Sequence, residues 1–472
     1  MDAYEACDAV ALADLVRRKA ATPRELVDEA IARIERRNPA LNAVVHLDAD
    51  AARSAAEGPL PDGPFTGVPF LIKDLHCAVA GMPMTDGSAF IGKRVSAADG
   101  VYTRLAKAAG LIILGKTNTP EFGIPGTTEG RYLGPCRNPF DTAYSSGGSS
   151  GGAASAVAAG LVPMAHASDG QGSIRIPAAQ CNLVGLKPTR GRTPVDDAYA
   201  TGYEFTCQHV VTRSVRDSAA MLDATGLDDP HLPNRAPAKA RPFLEEVSQA
   251  PGRLRIAVFR TPPRDLPLHE DVARTLDAAA ALLARLGHDV FPADFNVDWR
   301  AYYRTQGFLT GANFAAMLQR EIEHKGRAPE GDEIETHTRG IWEAVQRIKG
   351  ADAFGAARDF RTHVRAIMAH WDHWDVLLCP VAITPPPPIG YIDTANLEPR
   401  EIGKRQSSIF GFTPPYNGTG QPSMSLPLGM SANGLPIGMM FTGRFGDEAT
   451  LFRLAGQLER ESPWVDRYPA LA

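Results

Sequence analysis

The sequence has no long apolar run and no signal-like start. No apolar stretch reaches the roughly 20 residues that a membrane-spanning helix needs. The opening residues, MDAYE, lack the basic start and the apolar segment of a secretory signal. We therefore expect a cytoplasmic protein that has no membrane partner.

Cysteine is scarce and dispersed, and no CxxC pair is present. This spacing is typical of reduced thiols and argues against a disulfide framework or a zinc site. No cluster of His, Cys and carboxylate residues has metal-ligand spacing either, so we expect no metal and no other cofactor. The six cysteines are Cys7, Cys77, Cys136, Cys181, Cys207 and Cys379.

Neither sign of charge is in large excess. The chain has 49 Lys and Arg residues against 54 Asp and Glu residues, which gives a formal net charge of -5. This balance argues against a general nucleic-acid-binding protein and excludes no small substrate. With 44% hydrophobic residues, the chain can bury the core of one large enzyme domain or of two or three average domains.

Helix and strand patterns alternate in the first half of the chain. Residues 22–25 (TPRE) predict a capping box with proline at the first helical position, and Asn38-Pro39 predicts the end of that helix. Short apolar runs at residues 68–72 and 111–114 lie between glycine- and serine-rich loops. Such runs favour buried strands of an α/β sheet.

The second half contains a strand–helix–strand pattern. Residues 254–259 predict a strand, the apolar spacing from 272 to 286 predicts a helix, and residues 288–291 predict a second strand. Residues 300–370 are mostly helical in pattern. The first three elements together predict a βαβ unit.

The stretch SSGGSSGGAA at residues 145–154 is unusually rich in glycine. Glycine costs backbone entropy, and it is useful where the main chain must approach a ligand or a side chain closely. A flexible linker is the alternative, but residues 153–162 predict a small-residue helix. Residues 147–151 also match the G-x-S-x-G elbow of α/β-hydrolases, which needs a preceding strand; residues 138–144 are a poor strand.

Residues 110–117 (GLIILGKT) formally match a phosphate-binding P-loop. In a P-loop the four intervening residues cradle phosphate, whereas LIIL predicts a strand. Pro120 stands where the phosphate-binding helix would run. A P-loop ATPase is therefore the weakest of the alternatives.

The motif DGQGSIRIP at residues 169–177 offers a nucleophile. Ser173 lies near main-chain N–H groups that could stabilise an oxyanion, each worth about 3 kcal/mol by mutation. Asp169 and Arg175 flank the serine with opposite charge and are well placed to fix the loop. A structural turn serine is the alternative.

A serine nucleophile needs a base, and Lys73 is one candidate. Lys73 ends the apolar run at residues 68–72, and burial lowers the pKa of a lysine enough to supply a neutral amine. The alternative is a lysine that extends to solvent and pairs with Asp74. His76 and His166 lie near the motifs in sequence, but neither is an obvious partner for a serine.

These segments together resemble the amidase signature family over nearly the whole chain. They occur in the order typical of the family, and the ordered set is specific although single pieces are not. The pieces are GVP at 67–69 followed by Lys73, LGKTN at 114–118, GGSSGG at 147–152, DGQGSIRIP at 169–177, GLKPTRG at 185–191, NGTGQP at 417–422 and GLPIG at 434–438.

The resemblance implies an α/β fold with a mixed β-sheet core covered by helices on both faces. Residues 1–472 would form a single domain with its core motifs in residues 65–194. Residues 300–410, which are helical and rich in aromatic side chains, would help to form the wall of the substrate pocket.

The resemblance also implies a Ser–cis-Ser–Lys triad that hydrolyses a small-molecule carboxamide through an acyl-enzyme. Lys73 would be the base and Ser149 the proton relay, with a cis peptide bond before Ser149. Ser173 would be the nucleophile, and Ser150 would have a supporting role. Asp169 and Arg175 would support the nucleophile's loop.

The oxyanion hole implied by the resemblance consists of the main-chain N–H groups of Gly170, Gln171, Gly172 and Ser173. The family usually has glycine at the position of Gln171. A main-chain donor survives this change, while the added side chain would narrow the acyl pocket or contact substrate.

Within the family, several stretches resemble the 6-aminohexanoate cyclic-dimer hydrolase type. They are HASD at 166–169, IPA at 176–178 with Cys181, and GQP at 420–422. Because one fold supports many substrates, we use this likeness only as an indication of the subfamily.

Two rivals use the same scaffold. The A subunit of a tRNA-dependent amidotransferase hydrolyses glutamine and passes ammonia to a partner subunit. A binding protein without catalysis is disfavoured because all three triad positions are filled. The expected partner is a small amide rather than nucleic acid or membrane, and a homodimer is left open.

Overall fold

The computed structural model describes residues 2–196, 205–227, 234–262 and 266–469, which fold around one large mixed sheet. The strands in these residues are β1 (Val44–Leu47), β2 (Pro69–Lys73), β3 (Pro83–Met84), β4 (Arg94–Val95), β5 (Ile112–Thr117), β6 (Arg137–Asn138), β7 (Asp141–Ser145), β8 (Met164–Asp169), β9 (Val184–Lys187), β10 (Cys207–Thr212), β11 (Arg255–Val258), β12 (Asp289–Pro292), β13 (Val376–Pro380), β14 (Ser423–Met430) and β15 (Pro436–Thr442).

Among the described residues, eleven strands form the central sheet in the order β1-β5-β2-β8-β10-β9-β14-β15-β13-β11-β12. Strand β2 runs parallel to both of its neighbours, β5 and β8, and β11 runs parallel to β12 and β13. The remaining pairs are antiparallel. The predicted mixed sheet is therefore confirmed.

Helices cover both faces of this sheet. The described α-helices are α1 (Asp2–Ala6), α2 (Ala9–Arg17), α3 (Pro23–Leu41), α4 (Ala49–Glu57), α5 (Val101–Ala108), α6 (Gly151–Ala158), α7 (Arg175–Gln180), α8 (Val215–Thr225), α9 (Phe243–Glu246), α10 (Glu270–Arg285), α11 (Trp299–Lys325), α12 (Thr336–Val345), α13 (Gly350–Ala369), α14 (Pro399–Ile409), α15 (Pro414–Thr419) and α16 (Glu448–Glu461).

Apolar side chains on both faces of the inner strands explain why helices pack on both faces of the sheet. Ile256 of β11 lies in a hydrophobic cluster with residues of α10 and α16, whereas the next residue, Ala257, lies in a cluster with residues of α11 and α13. Successive side chains of a strand point to opposite faces. Both faces of β11 are therefore buried at its centre, which suits a short strand whose central residues are apolar.

Several predicted elements are confirmed. Strand β11, helix α10 and strand β12 form the βαβ unit with parallel strands, and residues 300–370 are largely helical as α11, α12 and α13. The apolar run LIIL enters strand β5, so the P-loop match is a strand. The capping box at Thr22 and Glu25 begins α3.

The predicted end of α3 was wrong by two residues. The helix continues through Pro39 to Leu41 and ends at Asn42, which is left-handed with φ of 51°. Asn38 supports the exit, because its Oδ1 accepts the main-chain N–H groups of Ala43 and Val44. These contacts with the following strand decide the end of the helix, and the Asn-Pro pair does not show them.

The prediction of a poor strand at residues 138–144 was also wrong. Strands β6 and β7 pair as a small hairpin outside the central sheet. The hairpin is held by the loop near residue 388, since Ser145 donates to the carbonyl of Pro387 and Ile389 donates to that of Ala143. A strand outside the central sheet does not supply the support that a nucleophile elbow needs.

No helix among the described residues is long and apolar enough to cross a membrane. All six cysteines are free thiols, and all except the half-buried Cys7 are buried, as their dispersed positions predict.

Candidate active site

Lys73 is the last residue of β2 and is completely buried. Its ammonium Nζ lies 2.7 Å from Ser149 Oγ and 3.1 Å from Ser168 Oγ. Strand β2 lies between β5 and β8, so the lysine is carried on an interior strand of the sheet. This burial excludes the alternative of a lysine that extends to solvent.

Burial lowers the pKa of Lys73 to about 7, against the opposing effect of the carboxylates of Asp169 and Asp86. Asp74, the alternative partner of the lysine, is itself buried and accepts hydrogen bonds from the main-chain N–H and the hydroxyl of Thr85. A substantial fraction of Lys73 is therefore neutral near neutral pH, as a base must be.

The glycine-rich loop before α6 brings Ser149 to this lysine. The peptide bond between Gly148 and Ser149 is cis, as the resemblance implies. A Cβ at Gly148 would lie 2.6 Å from the main-chain carbon of Thr127, and one at Gly123 would lie 3.1 Å from Ser149 Oγ. The glycines therefore permit close approach, which a linker would not require.

Ser150 connects the same loop to strand β8. Its Oγ donates to the carbonyl of Ser168 at 3.2 Å and accepts the main-chain N–H of that residue at 3.3 Å. The side chain of Ser168 in turn contacts Lys73. Ser150 thus fixes the distance between the glycine-rich loop and the strand that supports the lysine.

A buried ion pair organises the loop that carries Ser173. The Asp169 carboxylate and the Arg175 guanidinium are both fully buried, with Nε 2.9 Å from Oδ2. Asp169 also accepts the main-chain N–H groups of Gly172 and Ile174. Although burial opposes ionisation, Arg175 and Asn417 hold the pKa of Asp169 well below its usual range.

The structure changes the expected set of oxyanion donors. The main-chain N–H of Gly172 donates to Asp169 Oδ1 at 2.7 Å, so this donor is used inside the loop. Gly170, Gln171 and Ser173 remain as candidates. Ser173 itself is half-buried, and the side chain of Gln171 is exposed.

Three residues with contacts to the site had no role in the sequence interpretation. Ser168 contacts Lys73, Asn417 donates to the Asp169 carboxylate, and Thr413 donates to the carbonyl of Gln171 at 2.6 Å. Asn417 lies within a motif that carries the family resemblance, and Ser168 lies within a stretch that carries the subfamily likeness; both are usable signals. Thr413 has no such signal in the sequence.

Contacts join the region of residues 300–410 to loops beside the site. Glu121 accepts the main-chain N–H of Glu335 at 2.8 Å, and Gly126 donates to Gln406 Oε1 at 2.9 Å. Both residues flank Gly123, which packs against Ser149. Among the described residues, no group of three or more His, Cys, Asp or Glu side chains could hold a metal ion.

The same fold and sequence pattern occur in known amide hydrolases. A sequence model of the Amidase family matches residues 25–452. The chain is 38% identical over 488 aligned residues to a 6-aminohexanoate-cyclic-dimer hydrolase of Paenarthrobacter ureafaciens, with 98% of this chain and 96% of the relative covered.

Two solved structures agree with this match. A 6-aminohexanoate cyclic dimer hydrolase complexed with substrate superimposes with a TM-score of 0.92 and 35% identity, covering 100% of this chain and 99% of the other. The A subunit of the glutamyl-tRNA(Gln) amidotransferase of Thermotoga maritima is more distant, with a TM-score of 0.74, 26% identity and coverage of 93% and 92%.

These relatives define the class of protein, which is an enzyme that hydrolyses linear or cyclic amides. Within that class, the chain belongs to the amidase signature family, since the family match extends over most of its length.

Proposed function

We propose that the chain hydrolyses a small-molecule carboxamide through an acyl-enzyme, with Ser173 as nucleophile, Ser149 as proton relay and Lys73 as base. The observation that carries this proposal is the buried contact of 2.7 Å between Lys73 Nζ and Ser149 Oγ. A desolvated lysine bonded to a serine is the arrangement that activates a hydroxyl nucleophile without histidine.

The proton moves through the three residues in sequence. Neutral Lys73 accepts the proton of Ser149, which takes the proton of Ser173 as Ser173 Oγ attacks the amide carbonyl. The relay then reverses, and the amine leaves with the returned proton. Water enters, gives up its proton along the same relay, and releases the acid from Ser173.

The loop of residues 169–174 supplies the electrostatic part of the mechanism. The candidate donors are the main-chain N–H groups of Gly170, Gln171 and Ser173. The ion pair of Asp169 with Arg175 holds the loop rigid, since both charged groups are fully buried and are hydrogen-bonded to each other. Fixed donors of this kind stabilise an oxyanion by about 3 kcal/mol each.

The substrate class is a small non-peptide amide, and the relatives make the cyclic dimer of 6-aminohexanoate the first compound to test. Aryl acyl amides form the second group of the panel. Glutamine hydrolysis for a tRNA-dependent amidotransferase is less supported, because the structure of that kind shares less sequence and superimposes less closely.

The test is to label intact protein with a fluorophosphonate probe and map the adduct by peptide mass spectrometry. We expect an adduct on Ser173 that is lost in Lys73→Ala. Lys187→Met is the matched control, because Lys187 is also fully buried but donates to the carbonyl of Pro188. An adduct on Ser149, or normal labelling and turnover of Lys73→Ala, would overturn the proposal.

A further inference from the structure

Strand β8 presents two polar side chains to the same lysine. Ser168 contacts Lys73 Nζ at 3.1 Å, and His166, two residues earlier, accepts the main-chain N–H of Lys73 through Nδ1 at 3.3 Å. Residues two apart in a strand lie on the same face. The proposed base is therefore held at both ends, at its side-chain Nζ and at its backbone N–H.

The acceptor role of His166 fixes its protonation. Because Nδ1 receives the N–H of Lys73, the ring proton must lie on Nε2, which donates to Gln208 Oε1 at 2.9 Å. His166 is completely buried, with the ring of Tyr102 4.7 Å away between centroids. Burial lowers the pKa of His166 to about 3, so the neutral form is the one present.

Gln208 is placed by the strand register to make this contact. On β10, Val210 pairs with His166 and Gln208 pairs with Ser168, so Gln208 is the diagonal neighbour of the histidine. Gln208 is also buried. A chain of two hydrogen bonds thus runs from β10 through the imidazole to the backbone of the catalytic lysine.

We propose that His166 is a positioning residue for the base, which fixes the end of β2 by accepting the Lys73 main-chain N–H and so aims Nζ at Ser149. This inference rests on the proposed role of Lys73. The imidazole makes no proton transfer to substrate. It acts through the lysine, whose main-chain N–H selects the tautomer in which Nδ1 accepts and Nε2 donates to Gln208 Oε1.

A purely structural role has a different requirement. Buried polar groups must be paired with one another, and an apolar pair of similar volume serves packing equally well. The positioning role requires an acceptor at the place of Nδ1, since without it the Lys73 N–H is left buried and unpaired. These two requirements can be separated by substitution.

The experiment compares His166→Asn with His166→Gln in the full chain, measuring kcat, KM and thermal unfolding on an amide substrate. The Asn side-chain oxygen lies one bond beyond Cγ, as Nδ1 does, whereas the Gln amide lies farther out, near the place of Nε2. We expect His166→Asn to keep kcat within about threefold, and His166→Gln to lose about 10- to 100-fold in kcat with KM nearly unchanged.

A double variant, His166→Leu with Gln208→Leu, tests the structural alternative by removing both buried polar groups together. The positioning role predicts that its kcat stays as low as that of His166→Gln. Wild-type kcat in the double variant, or equal kcat in the Asn and Gln variants, would overturn the inference.

Lys73→Ala separates this inference from the proposed function. If Lys73→Ala retains turnover, the proposed base is wrong. If Lys73→Ala is inactive while His166→Gln turns over like the wild type, the base stands and the role of His166 is wrong.

Discussion

At the scale of single residues, the proposed mechanism depends on a lysine whose pKa is lowered to about 7 by burial. Lys73 has no exposed surface and contacts two hydroxyls, so its charged form loses the hydration that it would have in water. Asp169 and Asp86 oppose this effect and keep the pKa from falling further. In the proposed mechanism, the balance of burial and two carboxylates sets the pH below which the base becomes protonated.

The pH dependence follows from this balance. The pKa of Lys73 is lowered to about 7, and only the neutral amine can accept the proton of Ser149. We therefore expect kcat/KM to fall about tenfold per unit as pH drops below about 7, and to level off above it. The measurement is kcat/KM on a neutral amide from about pH 5 to pH 9. A flat profile across that range would contradict the role of Lys73.

Gln171 is the residue that we predict to affect substrate choice most directly. Its side chain is exposed beside Ser173, while its carbonyl is held by Thr413. We expect Gln171→Gly to retain turnover, because the main-chain donor survives, and to favour amides with larger acyl groups. The check is kcat/KM over a series of acyl chain lengths, with Gln249→Gly, at an exposed position distant in sequence, as control. An unchanged ranking of the series would show that Gln171 does not border the acyl pocket.

At the scale of elements, helix α6 matters because it begins directly after the loop that carries Ser149. Gly152 in its first turn packs against the segment after β5: a Cβ there would lie 2.3 Å from the main-chain nitrogen of Asn118. In contrast, a Cβ at Gly307 of α11 meets nothing within 4 Å. Close packing therefore leaves no room for a side chain at position 152, whereas position 307 has room for one.

We expect Gly152→Ala to lower the free energy of unfolding by about 1–3 kcal/mol through overpacking against main-chain atoms that cannot easily move. It should also lower kcat, because α6 and Ser149 shift together. Gly307→Ala is the matched control and should stabilise the protein by about 0.5–1 kcal/mol with kcat unchanged. Urea unfolding midpoints and kcat measure both effects. Equal stability of the two variants would contradict the close packing of α6.

At the scale of the whole molecule, the proposed catalytic groups are far apart in the chain, but the strands β2 and β8 that lead to Lys73 and Ser173 are neighbours in the sheet. Arg175 donates to the carbonyl of Thr413, and Asn417 donates to Asp169, so a segment near the C-terminal strands supports the loop of Ser173. The region of residues 300–410 contacts the loop around Gly123. The candidate site is therefore held by segments that are far apart in the chain.

We expect the whole enzyme to work without a metal ion. The proposed chemistry takes its base from Lys73 and its oxyanion donors from the main chain, so no step needs a Lewis acid. Dialysis against EDTA should leave kcat unchanged, as measured on the same amide before and after treatment. Loss of activity that is restored by added Zn²⁺ or Mg²⁺ would contradict this expectation.

The sequence by itself determined the elements whose causes are local. The capping box of α3, the βαβ unit and the strand that ends in Lys73 all follow from residues a few positions apart, and all are present. The order of the motifs identified the family. Two predictions were wrong because contacts with neighbouring segments decided the structure. They concern the end of α3 near Pro39 and the hairpin of β6 and β7.

Only the tertiary structure decided which side chains meet and what their charges become. Lys73 and Ser149 are 76 residues apart in the chain, and Lys73 and His166 are 93 apart. The hydrogen bond from the Gly172 main-chain N–H to the Asp169 carboxylate is likewise visible only in the folded loop. Hydrogen-bond partners and desolvation depend on the strand order of the sheet, and no local pattern of residues encodes that order.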